Sequence, residues 1–203
     1  MKPININTPA YWNGVYQEEC ESGRVLSEDY SRDYGPIHDA ILGLVPEGSE
    51  VLDIACGPGL LCRKIKQQWP SSQVLGVDFS QYMIAQNQER DGSLGIEYRC
   101  VDVRTSLGSI GRAFDVISMC EILEHLEEAE AVVAAAMTLL KPGGRFILTC
   151  PHDDGIPDPE HLRCWGHDEV FHLLAPYSGI ISFKHFPPPY FHVWMMGYLT
   201  KPC

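Results

Sequence analysis

The residues best placed to do chemistry are a glycine turn and a carboxylate that follows it at a fixed distance. The run V51-L-D-I-A-C-G-P-G-L60 carries Asp53, Ala55, Cys56, Gly57 and Gly59. Asp78 closes V74-L-G-V-D78, nineteen residues beyond Gly59. A tight glycine turn lets a ligand approach the main chain, and a carboxylate at the end of the next strand can accept two hydrogen bonds from a ribose diol. The pair therefore points to an adenosine-bearing ligand. Three histidines supply candidate proton acceptors: His125 in E121-I-L-E-H125, His152 in C150-P-H152, and His161 in the acidic, proline-rich stretch 151–163. A histidine of near-neutral pKa contributes roughly 10²–10⁴-fold as a general base. Asp153, Asp154, Asp158 and Glu160 share that stretch, which reads either as a solvated face or as one favouring a cationic or polyhydroxylated acceptor. His38, His167, His172, His185 and His192 read as structural.

The elements that must position these groups follow from the pattern. Val51–Cys56, Val74–Asp78, Ile96–Asp102, Phe114–Cys120 and Arg145–Cys150 are short apolar runs, mostly without polar alternation. This suits strands buried on both faces of a parallel sheet. Helices are expected between them at Leu60–Trp69, at Ser80–Arg90 with Ser80 as N-cap, and at Leu126–Leu140. In the last, residues 126, 129, 132, 133, 136, 137 and 140 keep to one face and K141-P-G-G144 ends the pattern. No firm helix is expected over Arg104–Arg112. A further helix is expected at His167–Ala175. The runs Ile180–Phe186 and His192–Leu199 are too close for a helical crossover, so they pair antiparallel. The fold class is α/β: a doubly wound, Rossmann-like, seven-stranded, mostly parallel sheet ending in an antiparallel hairpin strand, with helices on both faces.

Length and charge narrow the partners. The chain has 203 residues with 45% apolar and 21% charged content, which suits one domain with a proper core. Its net charge of −12 disfavours phosphate backbones and anionic lipid. No run approaches membrane-spanning length and residues 1–10 lack a signal-type apolar core. The expectation is a cytoplasmic monomer or homodimer with no nucleic-acid or membrane partner. The eight cysteines form no C-x-x-C pair, so reduced thiols are expected, those at 100, 120 and 150 acting as small hydrophobes.

Four blocks in order, D53-I-A-C-G-P-G59, G76-V-D-F-S80, F114-D-V-I-S-M-C-E-I-L-E-H125 and LKPGGRFILTCP from Leu140 to Pro151, resemble those of the class I S-adenosylmethionine-dependent methyltransferases. The resemblance covers residues 50 to 200 and is strongest to the small-molecule branch acting on ubiquinone precursors and related metabolites. It implies that Asp53 to Gly59 wrap the methionine end of the cofactor and that Asp78 holds the ribose. It places Phe79 and Met83 on the adenine side, with Asp102 accepting from the adenine amino group and Val103 adjacent. Cys120 and Glu121 would line the sulfonium, and Tyr11 and Trp12 would cap the cofactor. Ala55 departs from the family pattern, where glycine is usual.

Within this reading residues 1–203 are one domain: an N-terminal cap at 1–49 and a cofactor-binding core at 50–203 with a lid loop at 151–166. The reaction is methyl transfer to a small molecule, with oxygen preferred as acceptor because of His125, His152 and His161. The E-x-x-E-H string resembles that of relatives that methylate the terminal ribose of small RNAs, where two glutamates and two histidines hold a divalent metal. It also occurs in metabolite methyltransferases, so a metal at Glu121, Glu124, His125 and His161 stays open. Two other functions stay open: a catalytically idle cofactor-binding regulatory subunit, and an NAD(P)-binding oxidoreductase. The dinucleotide fingerprint wants a small residue where this chain has Cys62.

Overall fold

The computed structural model describes residues 5–152, 159–178, 180–186 and 194–202. Two helices, α1 (Pro9–Glu21) and α2 (Glu28–Leu42), precede the sheet. Then follow β1 (Glu50–Ile54), α3 (Leu60–Gln68), β2 (Gln73–Asp78), α4 (Gln81–Asp91), β3 (Glu97–Cys100), α5 (Val103–Ser106) and β4 (Phe114–Cys120). The chain continues through α6 (Ala129–Leu139), β5 (Leu140–Pro151), α7 (His167–Leu174), β6 (Ile181–Phe186) and β7 (Trp194–Thr200). The seven strands lie in the order β3-β2-β1-β4-β5-β7-β6. All pairs are parallel except those of β7, which runs antiparallel to both β5 and β6. The doubly wound sheet with its closing hairpin is thus the architecture the apolar runs imply; the residues linking β6 to β7 lie outside the described ones.

The core forms on both faces. Ile37, Ile41, Leu61, Ile65 and Ile84 pack helices α2, α3 and α4 on one side of the sheet. Val132, Val133, Ala136, Val170 and Leu174 pack α6 and α7 on the other. All seven positions of the stripe from Leu126 to Leu140 are buried. The helix itself begins only at Ala129, because a 3₁₀ turn over Leu123–His125 breaks the register first.

Several boundaries differ from expectation, each for a local reason. Residues 140–144 continue β5 instead of stopping a helix: Gly143, at φ +75°, donates to the carbonyl of Lys201 at 2.9 Å, and the register to β4 shifts between Phe114 and Val116. β3 stops at Cys100, since Asp102 leaves the ladder to cap α5, accepting from the Arg104 N–H at 3.1 Å. Residues 103–110 form two short helical turns. Cys100 is exposed at its strand end rather than packed, whereas Cys150 is buried. α1 has no counterpart in the expected elements; Thr8 caps it and Pro9 occupies its first turn. Among the described residues no helix is long and apolar enough to cross a membrane.

Strand order places the crevice. The chain winds outward from β1 through β2 to β3, then returns across to β4 and β5. Ligands in such sheets bind beyond the carboxyl ends of the strands at this reversal. Here that is the gap between β1 and β4.

Candidate active site

Two adjoining cavities open at that reversal. The larger, of about 490 Å³, falls within the roughly 300–1,000 Å³ of small-ligand sites. Asp53, Ala55, Cys56 and Gly57 line it together with Cys120 and Glu121, and it extends to His125 and His161. The smaller, of about 80 Å³, is lined by Asp78, Phe79, Asp102 and Val103 and shares Ala55, Glu121, Trp12 and His125 with the first.

The backbone is bent to make this space. Ala55 (φ +57°) and Glu121 (φ +52°) are the two non-glycine residues in left-handed conformation among the described residues. Each costs about 1–2 kcal/mol. They follow neighbouring strands, since Ile54 and Met119 are register partners. Gly57 is left-handed as well, and a Cβ there would meet the Tyr16 hydroxyl at 3.1 Å. Gly59 starts α3, and the place of its missing side chain is taken by the Tyr98 hydroxyl.

Turn and carboxylate are bonded to one another. The Gly57 N–H donates to Asp78 Oδ2 at 3.0 Å and the Ser80 N–H to Oδ1 at 2.9 Å. Asn87 Nδ2 donates to the Gly57 carbonyl at 2.7 Å. Burial pushes Asp78 up from 3.8 to about 6, although these amides pull the other way. Asp53 rises to about 6 for the same reason, despite the Ser118 hydroxyl donating to it at 2.7 Å and the Cys62 thiol at 3.3 Å.

The far end of the larger cavity is built from distant segments. His125 Nδ1 lies 3.1 Å from the Glu160 carbonyl, and its Nε2 lies 3.8 Å from Glu124 Oε1. Its ring meets Trp12 edge-on at 5.3 Å and His161 at 5.2 Å. Ligand atoms of Glu124, His125 and His161 come within 4.8 Å of one another. Glu121 is outside that group; its carboxylate accepts from the Thr149 hydroxyl at 2.6 Å. Asn7 ties the N-terminal segment down: Nδ2 donates to the Glu160 carbonyl at 2.8 Å and Oδ1 accepts from Trp12 Nε1 at 3.0 Å. Tyr11 donates its hydroxyl to Glu160 Oε1 at 2.6 Å.

A profile described as a methyltransferase domain matches residues 51–144, the span from β1 to the Gly-Gly pair before the straight part of β5. That stretch of the chain is similar to methyltransferase domains. A ubiquinone biosynthesis O-methyltransferase of Chromobacterium violaceum is 37% identical over 99 residues, 48% of this chain and 42% of that protein. One of Xanthomonas axonopodis is 27% identical over 199 residues, covering 92% of this chain and 81% of its own. The chain spans about half the length of the first such relatives. Magnesium protoporphyrin IX methyltransferase from Synechocystis, solved with bound SAH, shares the fold at 17% identity and a TM-score of 0.77, over 95% of this chain and 97% of its own.

Most of the expected site residues line these two cavities, and four do not. His152 lines neither cavity: Pro151 lines the larger one, and neighbouring strand positions face opposite ways. The His152 ring instead meets His185 at 5.1 Å, and its backbone bridges to Trp165. Met83 is fully buried inside α4 and also lines neither. Gly59 serves the packing of Tyr98. Tyr11 lies next to the site, bonded to Glu160. Asp102 holds Arg104, with Oδ1 2.8 Å from Nε and Oδ2 2.7 Å from Nη2. Asn7, Tyr16 and Arg104 join the site without having been expected there. The pairing of Arg104 with an aspartate two residues earlier was the one available signal among them.

Proposed function

We propose that the chain is an S-adenosylmethionine-dependent methyltransferase acting on an oxygen of a small molecule. The observation that carries this is the continuity of the larger cavity, from the Asp53–Gly57 turn to the His125–His161 pair. A cofactor seated in the turn presents its sulfonium to a chamber that side chains leave open and that a base reaches. That open chamber favours catalysis over an idle cofactor-binding subunit.

In this reading Asp53 to Gly57 take the amino-acid end, Asp78 accepts from the ribose, and Phe79, Asp102 and Val103 form the adenine side. Cys120 and Glu121 lie beside the sulfonium. The acceptor hydroxyl gives its proton to His125 or His161. Its oxygen then attacks the methyl carbon in line, and the carbon–sulfur bond breaks to leave the thioether. His125 is suited to be the base, because an Nδ1–H donated to the Glu160 carbonyl leaves Nε2 as the basic nitrogen. The donor is already activated, so alignment is the protein's main contribution, worth about 7–11 kcal/mol in favourable cases.

The domain organisation of cap 1–49, core 50–203 and lid 151–166 belongs to the same reading, as do a cytoplasmic monomer or homodimer and the absence of a nucleic-acid partner. Residues 153–158 of that lid lie outside the described ones. The acidity of the chain, at −12 net, supports the last point.

A second reading rests on the convergence of Glu124, His125 and His161. Carboxylate and imidazole suit a divalent ion, which would lower the pKa of an acceptor hydroxyl. Calorimetric titration with Mn²⁺ or Zn²⁺, lost in His161→Ala, supports it; no heat in the unsubstituted protein removes it.

Thermal shift with S-adenosylhomocysteine, NAD and NADP tests the main reading, since a ligand that binds only the folded state raises the melting point. A rise with the homocysteine compound alone is expected. Labelled-methyl transfer to a panel of phenols, polyols and amines then separates O- from N-methylation. A shift with NAD alone would overturn the proposal.

A further inference from the structure

Arg104 lies across the part of the site that the proposed function gives to adenine. Its guanidinium takes both oxygens of Asp102, at 2.8 and 2.7 Å, and lies over the Phe79 ring at 5.2 Å from the centroid. A stacked adenine with a donated amino group would use those same two partners. The cavity at this end is about 80 Å³, well below the range of ligand sites. A third bond, from Nη1 to the Asn7 carbonyl at 2.9 Å, ties the guanidinium to the segment that leads into α1. Asn7 in turn holds Trp12, which faces His125, and the Glu160 carbonyl.

We propose that Arg104 is an internal stand-in for the adenine ring, and that cofactor binding displaces it. This inference rests on the cofactor reading above. A planar, delocalised cation is suited to the substitution, because guanidinium stacks on aromatic faces and pairs with carboxylate through two parallel bonds. Displacement does two things. It frees Asp102 and Phe79 for the base, and it releases Asn7, so that the segment over the acceptor chamber loosens when the cofactor arrives. Cofactor and acceptor binding are thereby coupled through one side chain. Apparent cofactor affinity is lowered by the fraction of molecules holding Arg104 inward.

The test is calorimetric titration of the full chain and of Arg104→Met, with S-adenosylhomocysteine and with S-ribosylhomocysteine, which lacks the base. Arg104→Met should bind the adenosyl compound about three- to tenfold more tightly and leave affinity for the ribosyl compound unchanged. Arg104→Lys, which keeps charge but loses the fork, should fall between. Deuterium uptake over residues 5–12 should rise when the adenosyl compound is added to the unsubstituted protein. In Arg104→Met it should already be high. Weaker or equal binding of the adenosyl compound by a folded Arg104→Met overturns the inference, as does uptake that falls on binding. If neither protein binds that compound, the cofactor reading fails and takes this inference with it. The first pattern of failure leaves the cofactor reading standing.

Discussion

The two ends of the site are held in different ways. At the β1–β2 end, Asp53, Gly57 and Asp78 lie within 26 residues of one another in sequence and are fixed mainly by backbone amides and buried hydroxyl or thiol donors. At the histidine end, Asn7 bonds to Glu160 across 153 positions and Tyr11 to Glu160 across 149. The first end is nearly a local motif, set when β1 and β2 pair, with only the Ser118 hydroxyl of β4 coming from 65 positions away. The second exists only once the N-terminal helix, the turn after β4 and the segment after β5 have met. On the proposed reading, cofactor binding is thus built mostly from short-range parts and acceptor choice from long-range ones.

The largest expected effect breaks this comparison at the histidine end. His125→Gln should lower kcat by roughly 10²–10⁴-fold while the affinity for S-adenosylhomocysteine stays unchanged; a matching loss of affinity would show the two ends are not separable. Asp78→Ala should weaken binding of that ligand by about 10²–10³-fold, the loss of two bonds to a charged acceptor. It should also lower the melting point, since the Gly57 and Ser80 amides lose their partner. Unchanged affinity would mean that the ribose lies elsewhere.

Proton linkage sharpens the contrast further. Asp53 and Asp78 both rise from 3.8 to about 6 through burial. The folded chain therefore binds more protons than the unfolded one between about pH 4 and 6, and these two groups make the ligand-free fold lose stability as pH rises through that window. Above it they have no further effect. Asp91, Asp102 and Asp115, shifted downward, act oppositely below about pH 4. Asp53→Asn should flatten the fall in melting temperature between pH 4 and 6. A profile identical to the unsubstituted protein's would show that Asp53 does not titrate there. The smallest effect is at Ala55. Glycine relieves about 1–2 kcal/mol of left-handed strain and costs about 0.5–1 kcal/mol in chain entropy. Ala55→Gly should therefore raise the melting temperature by about 1–3 °C; a decrease would show that the methyl group packs usefully.

What the sequence revealed follows the same division. The turn, Asp78, Asp102, the end of β4 and the closing hairpin were legible because local pattern fixes them: apolar runs set strands, and strand ends set side-chain positions. His152 was misplaced for want of one fact, that β5 runs straight through Pro151, so alternation turns the next side chain to the opposite face. Helix α1 buries no residue fully and thus shows no apolar stripe, though Thr8 and Pro9 marked its start. Asn7 carried no signal at all. A single asparagine in a polar segment has no period to betray it, and its importance comes entirely from what folds against it.

The knot at Asn7 has a practical corollary for anyone substituting that residue. Two of its bonds run through the side chain and one through the carbonyl, so replacing Asn7 would free Trp12 and Glu160 together while Arg104 keeps its hold on the backbone.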